Sequence, residues 1–184
     1  MLTFRTAEPE MASDLAALVR SAYRGESSRA GWTTEADLVD DERVDAATVR
    51  AKILGSDSAV LVAVDGGGVT VGCCEVERRG AGVAYFGMFA VRPERQAGGV
   101  GRRLLAEAER VAVARWASAR MEMTVIAQRS ELIAWYGRRG YEQTGERRPF
   151  PYGELINGKA LRDDLEFVVL AKDLACADSS RAGA

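Results

Sequence analysis

The residues Gln96-Ala97-Gly98-Gly99-Val100-Gly101 carry the first chemical signal in the chain. Three glycines stand where an apolar run ending in Val91 and Pro93 gives way to the basic stretch "GRRLL". Glycines at such a junction leave backbone N–H groups bare, and the start of a helix adds a favourable dipole for an anion. The chemistry implied is the holding of a phosphate-bearing ligand. A second signal is Tyr136 in "WYGRRGY", whose phenol can donate a proton or position one by a hydrogen bond. The sequence has no histidine. That excludes Ser-His-Asp and Cys-His catalysis, His-ligated metals, the zinc deaminase signature and the zinc-protease helix.

Two anion-binding patterns fail. The dinucleotide pattern G-x-G-x-x-G begins with Gly99 and Gly101 but needs a third glycine where Leu104 stands. The strand before it also belongs to a hairpin series rather than to a chain of βαβ units. "GELINGKA", from Gly153 to Ala160, comes near the nucleotide P-loop. Ala160 replaces the hydroxyl residue that would bind magnesium, and the segment reads as a surface loop. The pattern Q/R-x-x-G-x-G/A fits at every specified place from Gln96 to Gly101.

The elements that must position these residues follow from periodicity. Leu2 to Arg5 alternates as a short strand. Met11, Leu15, Leu18, Val19 and Ala22 recur at helical spacing as far as Gly25. A polar stretch follows, and then Asp45 is placed to cap a helix through Leu54 that Gly55 stops. Ala59 to Val91 reads as a three-strand antiparallel meander. A long amphipathic helix runs from about Gly99 to Trp116, burying Leu104, Leu105, Ala108, Val111 and Ala112. "RMEMTVIA" is a strand beyond it, which makes a parallel crossover. Ser130 is expected to cap a short helix through Arg139 ended by Gly140, with Tyr141–Thr144 after it. "RPFPYGELINGKALRDD" is expected as a loop and "LEFVVLAKDL" as the last strand. The fold class is mixed α/β, with one domain over residues 1–174 and a frayed polar tail over 175–184.

With Val91 and Pro93 before the glycine turn and "WYGRRGY" after it, the sequence resembles the GNAT superfamily of acetyl-coenzyme A-dependent N-acetyltransferases. The resemblance covers most of the chain. It implies a GNAT-like fold, a mostly antiparallel central sheet with flanking helices. It also implies acetyl-coenzyme A (acetyl-CoA) as cosubstrate, no metal, and direct attack by a primary amine in a ternary complex. By this resemblance Gln96, Ala97, Gly98, Gly99, Val100 and Gly101 hold the pyrophosphate, and Arg102 adds charge. The backbone of Phe89 and Val91 pairs with the pantetheine arm like an added strand. Tyr136 stands at the sulfur, as acid or as positioning hydrogen bond.

Two positions depart from the family pattern. Arg129 stands seven residues before Tyr136, where many relatives carry Asn; it either reaches a coenzyme A phosphate or closes the strand end. Tyr85 stands eleven residues before Gln96, where some relatives carry Glu. Glu75 on the neighbouring strand is then the candidate base, and a water relay to backbone carbonyls is the alternative.

In the family the acceptor cleft is shaped by segments that correspond here to "YRGESSRAGWTTEADL" and "RRPFPYGEL". Trp32, Glu35, Tyr85 and Phe150 are the candidate acceptor residues. Glu35 begins an acidic run to Asp45 that either favours a cationic amine or is a solvated face. Trp32 is either a packing anchor or an aromatic wall. A small-molecule amine or an amino-acid-like acceptor is expected rather than a protein tail.

A net charge of −2 implies no bulk attraction to nucleic acid. The three cysteines, Cys73, Cys74 and Cys176, have no metal spacing; with no apolar leader or apolar run near membrane length, a soluble cytoplasmic protein is expected. A homodimer through strand pairing at the sheet edge is compatible with the pattern. Two other classes remain open: a coenzyme A-binding sensor without catalysis, and a partner-binding domain whose glycine turn only packs. Coenzyme A binding and turnover separate the three.

Overall fold

The computed structural model describes residues 1–80 and 82–174; the polar tail over 175–184, with Cys176, lies outside the described residues. In chain order the elements are β1 (Thr3–Thr6), α1 (Ala12–Tyr23), α2 (Gly25–Ser28), β2 (Val39–Asp40) and α3 (Ala46–Leu54). Then come β3 (Ser58–Val64), β4 (Thr70–Arg79), β5 (Val83–Val91), α4 (Val100–Trp116), β6 (Arg120–Ile126) and α5 (Ser130–Gly137). The chain closes with β7 (Glu142–Pro149), β8 (Lys159–Ala160) and β9 (Glu166–Asp173). Seven strands form one sheet in the order β1-β3-β4-β5-β6-β9-β7, and β2 pairs with β8 apart from it. All pairings are antiparallel except β5 with β6, where the α4 crossover makes the strands parallel. This is the mixed, mostly antiparallel sheet with flanking helices that the sequence predicts.

Strand alternation divides the core between two faces. Val60, Val62 and Cys73 pack with Leu15, Val19 and Ala22 of α1 and with Val49 of α3. Leu61, Ala63 and Cys74 pack on the other face with Leu104, Leu105, Ala108 and Ala112 of α4. Cys73 and Cys74 are buried free thiols in different clusters. Burial pushes the Cys73 thiol up to about 12 and raises Cys74 as well. Asp45 caps α3 as expected, its carboxylate accepting from the Thr48 amide at 2.7 Å.

Two irregularities open the sheet where the site lies. The register between β4 and β5 slips between Cys73 and Glu75, so that Cys74 faces both Met88 and Phe89. Met88 sits at φ 45, a left-handed conformation that costs a non-glycine residue roughly 1–2 kcal/mol. β5 then pairs with β6 over Val83–Tyr85 only. Beyond Tyr85 the two strands part, while β6 stays paired with β9 as far as Ile126. The gap between them is a wedge with backbone on both sides.

Several sequence expectations are corrected. Arg129, not Ser130, occupies the N-cap of α5, and no side chain caps it. Strand β7 runs past Thr144 into the first two residues of the segment expected as a loop, Arg148 and Pro149, and within that segment Lys159–Ala160 pairs with Val39–Asp40. β7 is an edge strand exposed at nearly every position, so it shows no apolar alternation, and its Pro149 lies at the strand end where no ladder donor is lost. Gly158 in the same segment packs against the backbone: a Cβ there would come within 2.0 Å of the Asp40 carbonyl. Val111 is only partly buried, unlike the rest of the α4 stripe.

Candidate active site

The glycine turn opens α4. A 3-10 turn over Pro93–Gly98 ends in Gly99 at φ 70, which glycine alone adopts freely. The amides of Gly99, Val100, Gly101 and Arg102 have no acceptor among the described residues; the first bond of the helix is Arg103 N–H to the Gly99 carbonyl. A Cβ at Gly98 or Gly99 would meet nothing within 4 Å, so that side of the turn is open. A Cβ at Gly101 would press to 3.1 Å from Phe89 and 3.6 Å from Trp135. Gly101 therefore serves close packing of α4 on β5 and α5, whereas Gly99 serves the turn.

Gln96 is a pin rather than a free ligand. Its Oε1 accepts from the Trp32 amide at 2.9 Å, and its Nε2 donates to Thr33 Oγ1 at 2.8 Å and the Val91 carbonyl at 3.1 Å. The side chain ties the 31–33 loop to the end of β5. Gly31 leaves the room it needs: a Cβ there would lie 2.5 Å from Gln96 Oε1.

Two cavities meet at Tyr23 and Phe89, which line both. The smaller, about 210 Å³, is bounded by Val91, Gln96, Ala97, Gly99, Gly101, Arg102, Trp135 and Arg139. Trp32 lines this cavity and not the larger one, 6.1 Å from Trp135, which corrects its assignment to the acceptor wall. The larger cavity, about 400 Å³, fills the wedge between β5 and β6. Tyr85, Phe150 and Glu75 line it. The Tyr85 hydroxyl lies 2.6 Å from Thr124 Oγ1 across the wedge, and Phe150 is buried against Phe167.

Tyr136 enters the same cavity from α5, buried among Phe89, Trp135 and Tyr141. Its hydroxyl bonds to no described residue and opens on the cavity. Burial raises its pKa well above that of an ordinary phenol, so the proton stays on at neutral pH. Tyr23, which the sequence reading missed, donates its hydroxyl to the Phe89 carbonyl beside the bulge. Glu75 is buried and already engaged, accepting from Lys52 Nζ at 2.6 Å and Ser58 Oγ at 3.1 Å.

The acidic loop departs most from expectation. The Glu35 carboxylate is 4% exposed and accepts from three guanidiniums, those of Arg24, Arg43 and Arg129, each at 2.6 Å. Burial alone would raise its pKa, but Arg43, Arg129 and Arg24 together hold it down at about 2. Glu35 is therefore not a free carboxylate for a cationic amine. Arg129 also donates to the Thr33 carbonyl at 2.8 Å; it is buried on the larger cavity and does not line the one at the glycine turn. Its assignment to a coenzyme A phosphate is corrected: it closes the strand end and locks the loop. Arg24 and Arg43 carried no sequence signal, since their partner is set by the fold.

Residues 56–143 match the family model of an acetyltransferase (GNAT) domain, the segment that holds the meander, the glycine turn, α4 and α5. This segment belongs to the GNAT superfamily. Acetyl transfer is the activity of that family, with acetyl-CoA as cosubstrate. The GNAT fold extends to the whole chain. A ribosomal-protein-S18-alanine N-acetyltransferase from Escherichia coli superposes with a TM-score of 0.69 at 16% identity, covering 98% of each chain. A spermidine N-acetyltransferase chimera from Vibrio cholerae and hSSAT gives 0.67 at 15% identity, covering 95% of this chain and 96% of that one. A nourseothricin acetyltransferase gives 0.55 at 22% identity, over 65% of this chain and 66% of that one. No curated protein sequence matches the chain.

The GNAT turn here fits the cosubstrate on its own geometry: bare amides, an open face at Gly98 and Gly99, and the Arg102 and Arg139 side chains beside them. Among the described residues no cluster of side chains suits a metal ion, and no helix is long and apolar enough to cross a membrane.

Proposed function

We propose that this GNAT protein acetylates the primary amine of a small molecule by direct attack on acetyl-CoA in a ternary complex. One observation carries the reading. The cavity at the glycine turn and the cavity in the sheet wedge adjoin at Phe89, with the unpartnered Tyr136 hydroxyl beside the junction. A ligand held at the turn and an amine held in the wedge are thereby brought to one point. The described residues would act as one domain.

Acetyl-CoA supplies the acyl group as a thioester. The amides of Gly99, Val100, Gly101 and Arg102 hold its pyrophosphate, and Arg102 adds charge. The β5 backbone at Phe89 and Val91 aligns the arm, with Tyr23 and Gln96 already bonded to the carbonyls of those residues. As the nitrogen–carbon bond forms, the carbon–sulfur bond breaks, and Tyr136 gives its proton to the departing sulfur. The amine's proton leaves to water or to Glu75. The Lys52 and Ser58 bonds to Glu75 favour the water route, since they engage both carboxylate oxygens.

The test is release of free thiol from acetyl-CoA on addition of small-molecule amines, with the acetylated product confirmed by mass. Amine-dependent release supports the reading. Tight cofactor binding with no release across a broad amine set would instead favour a sensor.

A further inference from the structure

Three arginines and two carboxylates form one buried cluster at the wall of the larger cavity. Arg24 bridges Glu35 and Asp41, while Arg43 and Arg129 share Glu35. The cluster sums to one positive charge in excess. Glu75, the other buried carboxylate on this cavity, is matched by Lys52, and Glu154 on the rim is exposed. The buried part of the lining therefore carries one positive charge in excess, and only Glu154 at the rim brings the whole lining to neutrality.

Arg43 is where that surplus is offered. Arg24 and Arg129 are nearly inaccessible, whereas the Arg43 side chain is 28% exposed and lines the cavity. Only its Nη1 is bonded, to Glu35; its other N–H groups have no partner among the described residues. Its backbone is at φ 59, a conformation unfavourable for a side chain this large, so the fold holds it there against local preference. The guanidinium lies 3.8 Å from the ring centroid of Tyr23, and the hydroxyl of that ring bonds the Phe89 carbonyl at the bulge. The cation is thus one aromatic ring from the point where the two cavities adjoin.

We infer that the acceptor is a short amino acid whose carboxylate docks on Arg43 while its amine faces the bulge at Met88 and Phe89. This inference rests on the acetyltransferase reading and narrows its substrate class. A guanidinium presents a planar fork to a carboxylate, and one ring's length separates fork and bulge, so few bonds lie between amine and acid. A polyamine finds no free buried carboxylate here, because Glu35, Asp41 and Glu75 are each already paired with a cation.

The test measures thiol release from acetyl-CoA with the common L-amino acids and β-alanine, each paired with its C-terminal amide. For the best acceptor, kcat/KM is expected to exceed that of its amide by about ten- to a hundredfold. Arg43→Gln is expected to bring that ratio near one by raising KM for the acid, with KM for acetyl-CoA within about twofold of the wild type. Arg43→Lys is expected to retain part of the preference. Should Arg43→Gln fail to fold, competitive inhibition of the wild type by a short carboxylate without an amine gives the second readout. The inference is overturned if amides serve as well as acids, if Arg43→Gln keeps the preference, or if a protein that binds acetyl-CoA acetylates no carboxylated amine. Calorimetry with acetyl-CoA separates the failures: absent binding sinks the acetyltransferase reading as well, whereas binding without carboxylate preference sinks this inference alone.

Discussion

Replacing Glu35 by glutamine removes the one carboxylate that three arginines share. The group has a pKa of about 2 in the folded protein against 4.5 ordinarily, and it is almost fully buried. Each unit of difference corresponds to about 1.4 kcal/mol, so the charged form contributes about 3 kcal/mol at pH 7. Breaking a buried ion pair costs about 3–5 kcal/mol, which agrees. Glutamine keeps one acceptor but turns an amide N–H₂ toward a guanidinium. The expected loss is about 3 kcal/mol, or roughly 10 °C in melting temperature for a chain of this size. The sign with pH follows from the depressed pKa. The stabilisation is full above the unfolded value near 4.5 and is lost as pH falls through about 2. Urea unfolding of wild type and Glu35→Gln at pH 7 and at pH 3 measures both parts. The gap between the two proteins is expected to narrow to roughly 1–1.5 kcal/mol at pH 3. A loss under 1 kcal/mol at pH 7, or a gap that ignores pH, would refute the reasoning.

Two further substitutions address the cofactor side and the chemical step. Tyr136→Phe is expected to lower kcat about a hundredfold while leaving KM for acetyl-CoA within about twofold, measured by thiol release with a reactive amine. Gln96→Ala removes three hydrogen bonds that join the 31–33 loop to β5; it is expected to cost about 1–3 kcal/mol in urea unfolding and to raise KM for acetyl-CoA severalfold. An unchanged unfolding midpoint would show that the pin carries no load.

Local signals were legible where they rest on neighbouring residues. The 3.6-residue stripe of α1 and α4, the apolar runs of β3 to β5 between their turns, the Asp45 cap and the glycine turn before α4 all depend on near-neighbour chemistry. The β2–β8 pair was not legible, because Val39 meets Ala160 only through the fold and neither strand is longer than two residues. β7 was half seen, since an exposed edge strand gives its residues no apolar face to repeat. The same limit governed the site. The acidic run from Glu35 to Asp45 looked like a lure for cations, yet its charges are met by Arg24 from the end of α1 and by Arg129 from the end of β6. No spacing rule connects residues 35 and 129. No local signal places Trp32 beside the glycine turn rather than the acceptor cleft, because the Gln96 pin that draws its loop there is a tertiary contact.

The central claim is that the glycine turn holds the pyrophosphate of acetyl-CoA. Calorimetric titration of the wild-type protein and of Gly99→Asp with acetyl-CoA tests it most directly. Asp at this position sets a negative charge among the bare amides and a side chain on a backbone at φ 70. The account predicts saturable binding by the wild type and a loss of about a hundredfold or more in a variant whose melting shows that it is folded. Equal affinity in the two proteins, or no binding by the wild type, would contradict it and leave a partner-binding domain with a packing turn as the better description.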